Sequence, residues 1–130
     1  MEIIREIKGE PLNGASSVYR YLEEFKNQDR EHFIVIGLDT GNKPCYREIV
    51  SIGILNQTIV HPREIFKKAI IMSCNSIIIA HNHPGNSLKA SAEDIIITIK
   101  LIEAGDLLGI KLLDHIIITK DGYKSIIEDL

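Results

Sequence analysis

At 130 residues the chain is long enough to bury one hydrophobic core and short for two, so a single domain over 1–130 is expected. Its formal charge of −3 gives no electrostatic footprint for nucleic acid, and no run of like charges forms a polybasic arm. Cys45 and Cys74 stand outside any C-x-x-C pair, which argues against a disulfide framework and suits a reducing cytoplasm. The first residues contain no signal-peptide core, and the apolar run over 69–80 is too short to span a bilayer.

Residues 1–13 read as an extended lead-in closed by Pro11 and the Asn13-Gly14 turn signal. Ser16 or Ser17 is expected to cap a helix running to about Asn27, with Val18, Leu22 and Phe25 on one face. The run FIVIGL (33–38) predicts a buried strand, followed by a turn at 39–42 and a second strand over 46–52, together a hairpin. A shorter strand is expected over 57–60. Pro62 then suits the first position of a helix whose inner face would be Ile65, Phe66, Ala69 and Ile70, with His61 as a structural residue at its entrance.

The apolar run from Ile77 to Ala80 predicts a buried strand, and Pro84 closes it for want of an N–H. A helix opens at Ser91, with Ala92, Ile95, Ile96, Ile99 and Ile102 expected inward and a stop near Gly105 or Gly109. A strand over 110–119, a turn at 120–122 and a short element over 123–127 complete the chain. Strands and helices alternate without a strict βαβ rhythm, so the expected class is α/β: a mixed sheet flanked by helices.

The chemistry concentrates at His81-Asn82-His83-Pro84 and Ser91-Ala92-Glu93-Asp94. Residues two apart on a strand share a side, so His81 and His83 can aim two imidazoles at one point. Asp94, in the first turn of the following helix, can reach back toward them. Two imidazoles and a carboxylate with a fourth position open are what a catalytic Zn2+ site requires, the fourth ligand being water. Ser91-x-x-Asp94 also reads as a capping box, and one carboxylate can serve both purposes.

These residues carry a resemblance. His81-x-His83-Pro84 with Ser91-x-x-Asp94 downstream matches the JAMM motif of MPN-type zinc metalloproteases. The wording HNHPGN…SAEDI, with VHPREIFKKAI before it and LLGIKLLDHIII after it, resembles the C-terminal domain of RadC proteins over about 14–125. The resemblance implies an MPN (JAMM), cytidine-deaminase-like architecture and one Zn2+ on His81, His83 and Asp94. It implies a catalytic glutamate at the start of the first core strand, where Glu31 is the choice and Glu48 in the next strand the alternative base. Ser91 matches the family's serine, thought to hydrogen-bond the oxyanion.

Asn82 stands where deubiquitinating relatives carry Ser or Thr and agrees with the RadC branch. Asp114 and His115, in a Leu-Asp-His-Ile stretch shared with that branch, are candidates to line the cleft or to hold a ligand, although on one strand they point to opposite faces. His32 is expected to be exposed, and neither cysteine has a partner for nucleophilic chemistry.

The expected function is a zinc-dependent hydrolase, a metallopeptidase or isopeptidase acting on a peptide or protein substrate, with no strong nucleic-acid binding and no membrane association. The alternative is a RadC-like binding or scaffold module, associated with DNA repair or mobile elements, with little or no turnover. RadC proteins usually carry a helix-hairpin-helix region as well, for which this chain has no room. A zinc nucleobase deaminase is rejected: that chemistry expects H-x-E and P-C-x-x-C, and Pro44-Cys45 is followed by no second cysteine.

Overall fold

The computed structural model describes the backbone of residues 2–5, 9–53 and 60–130. Among the described residues six strands form one sheet in the order β1-β3-β2-β4-β5-β6, with β1 at Glu2–Arg5, β2 at His32–Leu38, β3 at Pro44–Ile52, β4 at Ser76–Asn82, β5 at Lys111–Thr119 and β6 at Gly122–Ser125. All neighbours run antiparallel except β4 and β5, which are parallel. A parallel pair needs a long crossover, and here it is the helix α3, Ala92–Leu108. The helix α2, Pro62–Ile71, lies beside α3 on one face of the sheet, and α1, Ala15–Tyr21, lies on the other.

Two aliphatic cores follow from strand alternation. Phe33, Val35, Ile77 and Ile79 pack with Ile65, Phe66, Ile97 and Leu101 beneath α2 and α3. Ile34, Ile36, Ile78, Ala80, Ile116 and Ile118 pack with Val18, Leu22 and Phe25 on the opposite side. β4 is central and buried along its whole length, as a strand covered on both faces should be.

The hairpin of β2 and β3 forms as predicted, with the turn held by Asp39, whose carboxylate accepts from the backbone N–H of Gly41 and Lys43. α1 is shorter than the sequence suggests. It begins after Gly14, with Ser17 bonding back to that residue, and gives way after Tyr21 to a 3₁₀ turn, Glu23–Phe25. The tighter turn still delivers Leu22 and Phe25 to the core. The predicted 57–60 strand lies outside the described residues apart from Val60, which is buried. In α2, Ile65, Phe66 and Ala69 face inward as expected, but Ile70 is 54% exposed.

The larger correction concerns α3. Its buried residues are Asp94, Ile97, Thr98, Leu101 and Gly105, while Ala92, Ile96 and Ile99, predicted inward, are exposed. Asp94, Thr98, Leu101 and Gly105 are spaced four, three and four apart, which is one helical face. Isoleucines occur around the whole helix, so they could not fix its phase; two polar residues on the buried side do. Gly105 lets α3 approach β5: a Cβ there would lie 2.5 Å from the carbonyl oxygen of Ile110. Among the described residues no helix is long and apolar enough to cross a membrane.

Candidate metal centre

The centre lies at the carboxyl end of β4, where an α/β sheet commonly leaves its binding crevice. His81 is in the last turn of pleat of β4 and is 1% exposed. His83 leaves the strand but stays pinned to the sheet, its N–H donating to the Ile118 carbonyl at 2.9 Å. The two Nε2 atoms stand 2.8 Å apart.

Asp94 joins them from the first turn of α3, with Oδ1 3.3 Å from His81 Nε2 and Oδ2 3.4 Å from His83 Nε2. Ser91 caps the helix reciprocally: its Oγ accepts from the Asp94 N–H at 3.0 Å and its own N–H donates to Asp94 Oδ2 at 2.9 Å. The cap that starts the helix therefore also aims the carboxylate.

The hydrogen bonds around the two rings decide which nitrogens face the centre without a proton. His83 Nδ1 lies 2.7 Å from the Ser87 carbonyl, which can only accept, so Nδ1 carries the proton and neutral His83 presents a bare Nε2. His81 Nδ1 lies 2.8 Å from His115 Nε2, leaving its Nε2 toward the centre. Two ring nitrogens and a carboxylate thus face one another with no neutral donor among them. A cation or a shared proton satisfies that arrangement. For tetrahedral Zn2+ the ligand-to-ligand edge is about 3.3 Å, close to the two Asp94 distances.

The protonation biases agree. Hydrogen bonding to Asp94 raises the pKa of His83, against the effect of burial. Burial works to raise the carboxyl of Asp94, but the imidazoles of His81 and His83 beside it and the Ser91 backbone hold it well below the usual carboxylate range.

Glu31 sits just before β2, with Oε1 3.9 Å from His83 Nε2 and its side chain 30% exposed. Glu31, His81 and His83 offer ligand atoms all within 4.8 Å of one another, close enough to hold a metal ion. Asp94 contacts both imidazoles at shorter range and is almost fully buried, which fits a ligand better; Glu31 stands back at the mouth. Glu31, His83 and Asp94, together with Pro84, Gly85, Ser87 and Ser91, line an open cleft of about 340 Å³.

The remaining candidates separate clearly. Asn82, on the opposite side of β4, bridges the backbone on both sides of Glu31: Oδ1 accepts from the His32 N–H at 2.7 Å and Nδ2 donates to the Arg30 carbonyl at 2.8 Å. Glu48 is not brought to the centre. It pairs with Val35 across the hairpin, two strands from β4, and is buried at 2% exposure. Its strongest charged neighbours are Lys68 and Glu64 of α2, and burial raises its pKa.

Asp114 also faces away, accepting from Ser125 Oγ and the His115 N–H, and it lines a separate pocket with Leu12 and Ile78. His115 points the other way, fully enclosed, between His81 and Thr98. Adjacent strand residues alternate in any case, and a bulge decides which of the two faces His81: Ile77 pairs with Leu112 but Ile78 pairs with Asp114, so β5 skips a residue.

His32 is half-buried rather than exposed, its ring against Phe25. His61 caps α2, its Nδ1 accepting from the Arg63 N–H at 3.0 Å. Burial, with Cys45 nearby, pushes the Cys74 thiol up to about 12, which leaves it inert. Thr98 is the residue that sequence reasoning missed. Its spacing of four from Asp94 was the available signal.

A family model described as "RadC-like JAB domain" matches residues 12–130. Among curated relatives, a "UPF0758 protein" of Desulforamulus reducens is 49% identical over 105 residues, covering 81% of this chain and 46% of that protein. One from Methanosarcina mazei is 47% identical over 116 residues, 88% of this chain and 51% of the relative. One from Methanococcoides burtonii is 42% identical over 130 residues, 99% and 57% respectively. The chain therefore spans about half the length of the curated relatives it matches.

Proposed function

Because the chain belongs to the RadC-like JAB domain family, we propose that it is a zinc-dependent hydrolase of peptide or isopeptide bonds. The observation that carries the reading is the meeting of His81 Nε2, His83 Nε2 and the Asp94 carboxylate at 2.8–3.4 Å, with a second carboxylate, Glu31, at the open side. In this reading His81, His83 and Asp94 hold the ion. When bound, Zn2+ supplies Lewis acidity that brings a coordinated water toward ionisation near neutral pH.

The chain's own groups do the rest. Glu31, half in solvent and within one water's reach of His83, takes the proton of the attacking water and returns it to the leaving amine. Asn82 keeps Glu31 in place by gripping the peptide groups on either side of it. Ser91 Oγ already accepts the Asp94 N–H, so its hydroxyl proton is free to meet the oxyanion that develops on the scissile carbonyl. The cleft is open and polar at its floor, suited to an extended peptide segment rather than to an enclosed small molecule.

Elemental analysis paired with a screen of fluorogenic peptides and isopeptide-linked peptides on wild type and Glu31→Gln tests the reading. Zinc near one per chain in both proteins, with cleavage by wild type and a loss of at least about 100-fold in the variant, is the expected result. Zinc retained with no cleavage by either protein would favour a binding module. Wild type without zinc would remove the proposal.

A further inference from the structure

Behind His81 lies a closed polar chain that no part of the proposed reaction uses. Thr98 Oγ1 donates its one proton to the backbone carbonyl of Asp94 at 2.6 Å. The same oxygen lies 2.6 Å from His115 Nδ1 and, having spent its proton, can only accept there. His115 therefore carries its proton on Nδ1. Its ring is fully enclosed, flanked edge-on by Phe33 and tilted against His81, a setting that favours the neutral form. Neutral and protonated at Nδ1, His115 presents a bare Nε2 to His81 Nδ1, 2.8 Å away. That forces the proton of His81 onto Nδ1 and its lone pair onto Nε2, the atom 3.3 Å from Asp94.

We infer that Thr98 and His115 are positioning residues that set the tautomer of His81, so that its Nε2 is available to a metal ion before the ion arrives. Were His115 protonated at Nε2 instead, His81 would have to accept at Nδ1 and aim an N–H at the metal position. The relay starts and ends on one helix, because Thr98 bonds the carbonyl of the residue whose carboxylate completes the centre. Metal ligands of the imidazole type ordinarily donate their second nitrogen to a carboxylate or carbonyl. Here a second imidazole takes that place, and an imidazole can accept only if its own proton is assigned elsewhere. Thr98 makes that assignment.

The inference rests on the proposed zinc centre, and its test separates the two. Zinc affinity is measured by chelator competition on wild type, Thr98→Val, Thr98→Ser and His115→Leu, and the tautomers of the metal-free wild type by long-range 1H–15N correlation of the histidine rings. The relay predicts that Thr98→Val, which replaces the hydroxyl with a methyl group of similar size, weakens zinc binding by about 10- to 100-fold. It predicts recovery in Thr98→Ser, at least the Thr98→Val loss in His115→Leu, and His115 protonated at Nδ1 with Nε2 bare. Wild-type affinity in Thr98→Val, or His115 protonated at Nε2, would overturn the relay while leaving the zinc centre standing. Failure of wild type to bind zinc would overturn both. Loss of affinity in Thr98→Val without recovery in Thr98→Ser would reduce the hydroxyl to packing and refute the inference.

Discussion

His83 and Asp94 carry opposite protonation biases, and each adds its own pH dependence to the stability of the metal-free protein. The folded pKa of His83 is raised, first by its hydrogen bond to Asp94. Its contribution to stability is therefore full below the unfolded imidazole value of about 6.5 and is lost as pH rises through the folded value. Asp94 is the reverse. Although burial opposes its ionisation, the imidazole hydrogen bonds prevail, so its contribution is present above about 3.9 and fades as pH falls through the depressed folded value. Zinc displaces the proton from His83, so the stabilisation by zinc, read as the difference between the urea midpoints of zinc-loaded and metal-free protein, should be larger at pH 8 than at pH 6. Equal zinc stabilisation at both values would contradict this. The two histidines were legible from sequence because a strand's period of two puts residues 81 and 83 on one side. The link from His81 through His115 to Thr98 was not, since it depends on how β4 and β5 are aligned, and no local pattern encodes a parallel register.

Among the elements, α3 shows where periodicity reads poorly. Its capping box and its glycine stop, Gly109 in the left-handed region at φ 74°, were both visible in the residue types. Its buried face was not, because isoleucine surrounds the helix and the inward residues include Asp94 and Thr98. Gly105 is the tightest point of that packing. Gly105→Ala should cost about 1–3 kcal/mol by overpacking, read as a lower urea midpoint, and should also weaken zinc binding, because the strand it would push away carries His115. The loop before β2 depends on a single side chain in a comparable way. Asn82→Ala strips a donor and an acceptor from Arg30 and His32, so it should cost about 1–3 kcal/mol and speed amide exchange at His32. Zinc affinity should stay near that of wild type while any peptidase activity falls. Loss of zinc from this variant would show that Asn82 supports the ligands rather than the glutamate.

At the scale of the whole molecule, the donors come from elements that meet only when the sheet and its helix are assembled: β4 and its following loop, and the start of α3. Metal binding is then linked to the global fold. Free zinc at a hundred times its dissociation constant should stabilise the protein by about 2.7 kcal/mol, seen as a higher melting temperature that depends on zinc concentration. Asp94→Ala should abolish that dependence. Core strands, helix starts and the motif could be read from residue types, whereas strand order and the pairing of β4 with β5 rest on contacts far apart in sequence. The skipped residue in β5 has its own consequence. Loss of Leu113 would leave His115 opposite Ile79, because the ladder already passes over one position there. The same deletion at Ile116 would turn the imidazole away by putting it next to Ile117. Upstream of His115 the strand can lose one residue and keep its register, and downstream it cannot.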